Sequence, residues 1–368
     1  MYHWRDGIGP ERKITWNENF GTYEQEKNEF GTHEFMEFCE RIGSKPWLNI
    51  NMLRGSVEEM VEWAEYCNRR ENTSLSMERA KNGHPQSFDV EYWGIGNEVW
   101  CGGGNYTAKS YADEYRKFAS AMPGFKPNIP FVSSEGIDIK LIASGPDGNK
   151  PFERVKWTRD LPGNSSDCRL VIGEWGNWHG KAFLNRPALY QQCTMRDAIT
   201  TAITLDIFHR NCDMVDMACA AQTVNVLNSL ILTQGEHTIL TPNYYVFDMY
   251  KPHRDAILLE INIACDQVGG KEKVAQIYSL ASEKDNIITL NLINTDYSAP
   301  TEVQVAFDRD VAYLGGTVLR GESPDAYNCV ENQDAVTEKE ADAPKMEGKK
   351  ATFLLPAASV QVYQFSCA

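Results

Sequence analysis

The chain has 368 residues, of which 42% are hydrophobic, and this length allows a large core and more than one domain. Its formal net charge of −15 argues against nucleic acid or an anionic membrane as partner, because either would require a basic surface. A neutral ligand such as a sugar is compatible with this charge. The ten cysteines are scattered without a CxxC pair, so they indicate reduced thiols rather than a disulfide framework or a metal site.

The sequence also argues against membrane insertion, export and metal binding. No window reaches the roughly 18 apolar residues of a membrane-spanning helix. The first residues, MYHWRDGIGPERK, lack the apolar stretch of a signal peptide, so we expect a cytoplasmic protein. The histidines show no HExxH or similar spacing, and we expect neither a metal nor a cofactor.

The first part of the chain alternates predicted strands with predicted helices. Residues 1–20 are polar and turn-rich, and they predict no strand. The predicted strands are Lys45–Met52, Asp89–Trp100 and Lys140–Ser144, and the predicted helices are Thr32–Ile42, Ser56–Asn68 and Ser110–Met122. Ser56 and Glu59 have the spacing of a capping box. The alternation favours a parallel α/β architecture, either a (β/α)8 barrel or a doubly wound sheet.

The alternation resumes after residues 146–167, whose prolines and glycines predict a loop. The predicted elements are then a strand in Arg169–Trp178, a helix at Leu189–Asn211, a strand at Val215–Ala221 and a helix at Tyr244–Tyr250. From residue 252 the pattern changes to alternating apolar and polar positions, which predicts an all-β sandwich over residues 252–368 after a catalytic domain over residues 1–251. Within the β domain, Gln333–Lys350 is charged and predicts a loop.

Two of the predicted strands each deliver a carboxylate at their C-terminal end. DVEYWGIGNEVW leads to Asn97 and Glu98, and RLVIGEWGNW leads to Glu174. A (β/α)8 barrel keeps its chemistry at the C-terminal ends of its strands. Two carboxyl groups facing each other across its mouth could hydrolyse a glycosidic bond. Any single glutamate in such a position is more often an ordinary loop carboxylate, but two of them favour a glycosidase.

Several motifs resemble the α-L-arabinofuranosidases of glycoside hydrolase family 51. They are YHWRDGIGP at 2–10, NEFGTHEFMEFC at 28–39, YWGIGNEVW at 92–100, YADEY at 111–115, AAQTVNVL at 220–227 and TPNYYVFDMYK at 241–251. The resemblance implies a (β/α)8 barrel followed by a β-sandwich, a retaining mechanism, and an arabinose-containing oligosaccharide or polysaccharide as substrate. It implies Glu98 as acid/base, Glu174 as nucleophile, and Asn97 and Gln222 as sugar contacts. It also suggests a homo-oligomer, and Trp178 is a candidate wall of the sugar pocket.

The chain departs from the family pattern in ways that predict an incomplete barrel. The motif at Tyr2 follows two barrel strands in the family, and the interval from Glu98 to Glu174 is too short for three β/α units. Strands one, two and six are therefore expected to be missing. Gly173 stands where the family usually has aspartate. Two alternatives follow: a catalytically impaired or sugar-binding remnant, or a retaining barrel glycosidase of other specificity.

Overall fold

The computed structural model describes residues 2–19, 22–99, 103–122, 131–133, 170–177, 189–270 and 273–367. The chain divides into two compact units, residues 1–137 and 138–368, and each is described by itself. The predicted strand at Lys140–Ser144 and the predicted loop at 146–167 lie outside the described residues. Every helix within the described ranges is too short or too polar to cross a membrane.

The first unit consists of a hairpin and a parallel sheet with helices. The hairpin pairs β1 (Thr15–Asn19) with β2 (Thr22–Glu26). The parallel sheet contains, in spatial order, β3 (Trp47–Ile50), β4 (Tyr92–Ile95) and β5 (Phe131–Ser133). The helices are α1 (Thr32–Ile42), α2 (Val57–Asn68), α3 (Ser74–Lys81) and α4 (Ala108–Ala121). Strands of the sheet thus alternate with helices along the chain, as predicted.

The ends of the first helices are set by local hydrogen bonds. Helix α1 stops at Gly43, which has a left-handed φ of 68° and donates its amide to the carbonyl of Glu40 at 3.1 Å. Helix α2 starts at Ser56, whose hydroxyl accepts the amide of Glu59 at 3.1 Å. The serine half of the predicted capping box is therefore confirmed. The Glu59 carboxylate contacts His3 Nδ1 at 2.8 Å, which ties the N-terminal segment to α2.

Trp93 on β4 lies at the centre of the core of the first unit. It is fully buried, and its ring makes an edge contact with Trp63 at 5.6 Å between centroids. Trp63 in turn stacks on Trp4 at 6.3 Å. These aromatic rings bury a large apolar area, which fixes β4 against α2 and the N-terminal turn.

A buried guanidinium joins α2 to the loop that follows α3. Arg79 is 1% exposed and donates hydrogen bonds to the carbonyl oxygens of Tyr66, Arg69, His84 and Pro85. A buried cation is tolerated only when its donors are satisfied, and here backbone carbonyls supply the acceptors.

The second unit begins with two parallel strands, β6 (Leu170–Trp175) and β7 (Val215–Ala220). Helix α5 (Met195–Arg210) lies between these two strands in the chain. After β7 come a hairpin of β8 (Ile231–Gln234) and β9 (His237–Leu240), and then helix α6 (Pro242–Met249). Apolar residues of α5 and α6 pack on one another and on the β structure that follows. Trp175 is packed between Phe208 of α5 and Phe247 of α6, at centroid distances of 5.3 and 6.0 Å.

The C-terminal part is a β-sandwich, as predicted. One sheet has six strands in the spatial order β10 (Ile257–Leu259), β13 (Ile277–Lys284), β14 (Ile287–Asn294), β20 (Ser359–Cys367), β16 (Val311–Arg320) and β17 (Thr337–Glu340). The other has three, β15 (Thr301–Ala306), β19 (Lys350–Leu355) and β18 (Lys345–Glu347), and a short hairpin joins β11 (Gln267–Gly269) to β12 (Lys273–Ala275). Phe353, Tyr363 and Phe365 are buried in its core.

Two expectations about secondary structure are wrong. Residues 1–20 do contain a strand, because Thr15–Asn19 pairs with the following strand although its sequence is polar. The segment 333–350 contains β17 and β18, whose backbones are paired by neighbouring strands that local sequence does not reveal. Helix α3 and strand β16 were not predicted. The domain boundary after Lys251 stays a prediction; α6 ends at Met249, and β10 begins at Ile257.

Candidate active site

The backbone bends sharply directly after β4. Gly96 has a φ of 86°, and Glu98 has a φ of 45°, which is uncommon for a residue with a side chain. A Cβ on Gly96 would lie 2.5 Å from Val99 Cγ1 and 3.0 Å from Met52 Sδ, so only glycine fits there. The bend leaves the side chains of Asn97 and Glu98 exposed at the C-terminal end of the strand. Strained backbone of this kind is common at functional sites.

Hydrogen bonds from the following segment hold this bend. The buried hydroxyl of Tyr111, on α4, donates to the carbonyl of Ile95 at 2.6 Å. The amide of Gly103 donates to the carbonyl of Glu98 at 3.1 Å, and a Cβ on Gly103 would overlap the carbonyl of Asn97. The position of Glu98 is therefore fixed from both sides of the turn.

A cavity of about 500 Å³ lies in the first unit beside Asn97. Its lining is mainly apolar and aromatic and includes Trp4, Phe35 and Trp63. Amide and carboxylate groups are interspersed, contributed by Asn49, Asn51, Asn97 and Glu59. Apolar surfaces with a few hydrogen-bonding groups are typical of ligand sites, and they suit the apolar faces and hydroxyl groups of a sugar.

Glu174 lies in a bulge near the end of β6. Ile172 pairs with Ala218 and Trp175 pairs with Ala220, so three steps along β6 correspond to two steps along β7. The extra residue falls at Gly173–Glu174, and both are exposed, whereas Ile172 and Trp175 are buried. Bulges are frequent beside active sites because they redirect a side chain. Here the bulge aims Glu174 away from the core while Trp175 anchors the strand.

Gln222 follows the neighbouring strand β7. Its side chain is exposed, and its backbone amide donates to the carbonyl of Val226 at 3.2 Å. The amide of Ala221 donates to the carbonyl of Trp175 at 2.8 Å, so the chain segments that carry Glu174 and Gln222 are paired at their ends.

The thiol of Cys219, on β7, lies within electrostatic range of Glu174. Burial raises the pKa of this thiol, and the Glu174 carboxylate raises it further. The thiol is therefore neutral at pH 7, and it adds no second negative charge beside Glu174.

Comparisons with known proteins identify the family. Residues 1–160 match the model of the "Alpha-L-arabinofuranosidase 1 domain", and residues 173–359 match that of the "Alpha-L-arabinofuranosidase C-terminal domain". An intracellular exo-alpha-L-arabinofuranosidase from Bacteroides ovatus is 32% identical, and the alignment covers 98% of this chain and 80% of that protein. This chain belongs to the α-L-arabinofuranosidase family. The alignment spans 415 positions against 368 residues here, so the Bacteroides arabinofuranosidase contains residues within it that this chain lacks.

Solved arabinofuranosidase structures confirm the predicted fold class, a (β/α)8 barrel with a C-terminal β-sandwich. The GH51 arabinofuranosidase from Xanthomonas axonopodis pv. citri matches with a TM-score of 0.89 at 28% identity, over 99% of this chain and 84% of that one. An α-L-arabinofuranosidase from Thermotoga maritima has the same fold, with a TM-score of 0.83 at 23% identity over 99% and 84% of the two chains. The absence of strands one, two and six stays a prediction.

The structure places most of the predicted arabinofuranosidase site residues at strand ends. Asn97 and Glu98 lie together after β4 in the first unit. In the second unit, Glu174 lies near the end of β6, and Gln222 follows the paired strand β7. Trp178 lies outside the described residues. Sequence reasoning missed the bulge at Gly173–Glu174 and the thiol of Cys219. In the sequence, the only signal of the bulge was that Gly173 and Glu174 interrupt the apolar run. No group of three or more potential metal ligands occurs within the described ranges.

Proposed function

We propose that the chain is a retaining, exo-acting α-L-arabinofuranosidase that hydrolyses terminal non-reducing arabinofuranosyl residues of arabinan- and arabinoxylan-type oligosaccharides. Family membership supports the reaction. The observation that supports the residue assignment is that Glu98 and Glu174 are each exposed at the C-terminal end of a parallel strand, in a distorted stretch of backbone. That is the position at which barrels of this class carry their catalytic groups.

In the proposed mechanism the two carboxyl groups have different roles. A carboxylate oxygen of Glu174 attacks the anomeric carbon, and the carboxyl group of Glu98 gives its proton to the departing glycosidic oxygen. Glu98, now a carboxylate, then takes a proton from water while the water oxygen attacks the same carbon. This step releases Glu174 as a carboxylate and arabinose with retained configuration. The mechanism requires the two carboxyl groups to lie about 5–5.5 Å apart.

Neighbouring polar side chains would orient the sugar. Asn97 presents an exposed amide next to the proposed acid/base, and Gln222 presents one just after β7, the strand paired with that of the proposed nucleophile. An amide can both donate to and accept from sugar hydroxyl groups, which suits it to positioning a pentose. Trp178 remains a candidate for the wall of the sugar site, from its aromatic ring and its place in the sequence four residues after Glu174.

The test compares Glu98→Ala and Glu174→Ala on 4-nitrophenyl α-L-arabinofuranoside and on an arabino-oligosaccharide. Glu174→Ala should lose both activities. Glu98→Ala should lose about 10²–10⁴ in rate on the oligosaccharide. Its loss on the 4-nitrophenyl substrate should be smaller, because that leaving group departs without a proton. Azide should rescue both variants, with inverted arabinosyl azide from Glu174→Ala and retained product from Glu98→Ala.

Glu91→Ala is the matched control, since Glu91 precedes the other end of β4 and pairs with Lys45 at 2.8 Å. It should keep the parent rate. Parent-like rates in Glu98→Ala or Glu174→Ala would refute the assignment. A chain that binds arabinose without turnover would be the sugar-binding remnant, and cleavage of a xyloside or glucoside in place of the arabinofuranoside would indicate the other specificity.

The proposed location in the cell rests on the comparison with a curated relative. The Bacteroides ovatus relative is named as an intracellular enzyme, in agreement with the cytoplasmic location expected from the sequence. We therefore propose that this chain acts inside the cell on oligosaccharides small enough to be imported. A homo-oligomer is part of the proposal, and sedimentation or light scattering of the purified chain would test it.

A further inference from the structure

Three buried polar side chains form a closed ring of hydrogen bonds behind the turn that follows β7. They are Thr201 on α5, Asn228 in the turn and Asn243 on α6, and each is 0% exposed. Thr201 Oγ1 donates to Asn243 Oδ1 at 3.1 Å, Asn243 Nδ2 donates to Asn228 Oδ1 at 2.8 Å, and Asn228 Nδ2 donates to Thr201 Oγ1 at 3.4 Å. We call this ring the amide triad. Within the ring each member donates once and accepts once, and Asn243 Nδ2 also donates to the backbone carbonyl of Asn228 at 3.5 Å.

The triad contacts both chain segments that carry the proposed sugar-site residues of the second unit. The backbone N–H of Asn228 donates to the carbonyl of Ala221, the residue before Gln222, at 3.2 Å. Asn228 Cβ lies 2.8 Å from the point where a Cβ on Gly176 would stand, so it packs against the backbone two residues after Glu174. Asn228 is therefore in contact with the ends of both β6 and β7.

The chemistry of the triad suits a positioning role better than a purely space-filling one. Apolar side chains could fill this volume, but apolar packing is not directional, whereas a hydrogen-bonded ring allows one arrangement of its three members. Two members come from helices anchored in the core, so the third is held at a defined position relative to α5 and α6. Active sites need such support, because small displacements of reacting groups lower the rate strongly.

We propose that the amide triad positions the turn 221–229, and through it Gln222 and the backbone after Glu174, for arabinoside cleavage. This inference rests on the proposed roles of Glu174 and Gln222. Thr201, Asn228 and Asn243 are positioning residues that do not touch the substrate. When the ring is disrupted, the turn relaxes and Gln222 moves relative to Glu174. This displacement lowers kcat more than it raises KM.

Thr201→Val is the sharpest test, because it replaces the hydroxyl group by a methyl group of nearly the same size. Asn243 Oδ1 then loses a donor and Asn228 Nδ2 loses an acceptor, so the ring opens. Thr201→Ser keeps the hydroxyl and should restore it. Thr204→Val is the matched control on the same helix, where the hydroxyl donates to the carbonyl of Thr200 one turn earlier. Thr201→Ala is the second variant if Thr201→Val does not fold.

The full chain and its variants are assayed on 4-nitrophenyl α-L-arabinofuranoside, well below the melting temperature that circular dichroism gives for each. Thr201→Val should lower kcat/KM by about tenfold or more, mainly through kcat. Thr201→Ser should stay within about threefold of the parent, and Thr204→Val should match it. The azide products of Glu174→Ala serve as the independent check on the nucleophile.

The outcomes separate the two proposals. Parent-like kcat/KM in folded Thr201→Val or Thr201→Ala overturns the positioning role while the proposed function stands. An equal loss in Thr201→Ser or in Thr204→Val also overturns it, because the hydroxyl at 201 would then not be responsible. If Glu174→Ala keeps the parent rate, or the parent cleaves no arabinofuranoside, the proposed function fails, and the role of the triad in it fails as well.

Discussion

Replacing Asp206 by asparagine should change how the stability of the second unit depends on pH. Asp206 lies on α5 and is 0% exposed; its Oδ1 accepts from the hydroxyl of Tyr250 at 2.8 Å and from Asn291 Nδ2 at 3.2 Å. Its Oδ2 has no partner among the described residues. Asn291 Oδ1 is 2.7 Å from Nε2 of the buried His253, and His253 Nδ1 is 2.7 Å from the hydroxyl of Ser282. Because Asn291 donates to Asp206, its oxygen accepts, and His253 carries its proton on Nε2.

The two titrating groups of this network act in opposite directions. Burial raises the pKa of Asp206 to about 7, so the folded chain keeps a proton that the unfolded chain releases above pH ~4, and stability falls as pH rises from about 4 to 7. Burial lowers the pKa of His253 to about 4, so the unfolded chain binds a proton below pH ~6.5 that the folded chain excludes, and stability rises from about pH 4 to 6.5. Each group changes the free energy of unfolding by about 1.4 kcal/mol per pH unit, in opposite directions. Because the two effects nearly cancel, this pair gives the parent little net dependence of stability on pH.

Other charged or titratable groups around the network come from the same packed elements. Arg210 on α5 donates to the carbonyl of Ser279 on β13 and favours the Asp206 carboxylate. Burial lowers the pKa of His209, whose ring lies 6.2 Å from that of Tyr250 and 5.7 Å from that of His253. These groups are common to parent and variant, so a difference between the two isolates Asp206.

The assay is urea unfolding at pH 4.5, 5.5 and 6.5, followed by circular dichroism. The free energy of unfolding of Asp206→Asn minus that of the parent should rise by about 1.4 kcal/mol per pH unit. The same difference for His253→Gln should fall by a similar amount per unit. Asp310→Asn, which changes an exposed carboxylate, is the control and should give a flat difference. A flat difference for Asp206→Asn would refute the reasoning.

Four further substitutions test the packing of the first unit by thermal or urea unfolding. Arg79→Met should cost about 3 kcal/mol or more, because buried carbonyls lose their donor; a loss below 1 kcal/mol would contradict this. Tyr111→Phe should cost about 1–2 kcal/mol and lower arabinofuranosidase activity, because the carbonyl before the Glu98 bend loses its partner; unchanged values would contradict it. Gly96→Ala should cost about 2–3 kcal/mol and Gly43→Ala clearly less, since both have positive φ but only Gly96 is crowded; equal costs would contradict the argument.

Local signals in the sequence were sufficient for most helices and for the candidate strand ends. Thr32–Ile42 was predicted with its observed bounds, because helical periodicity and a terminal glycine are properties of neighbouring residues. The polar strand Thr15–Asn19 was missed, since its partner rather than its own composition makes it a strand. Strands β17 and β18 were missed for the same reason.

The sequence by itself determined the alternation of strands and helices, the change to β structure, the family, and the two glutamates at strand ends. Only the tertiary structure decided how those ends are held. The bulge at Gly173–Glu174 exists because β6 and β7 pair in a particular register, and the amide triad joins positions 201, 228 and 243, which no short-range pattern connects. The burial that raises the pKa of Asp206 likewise depends on the sheet that covers α5. Contacts between residues far apart in the chain set these features, so they become visible only in the folded molecule.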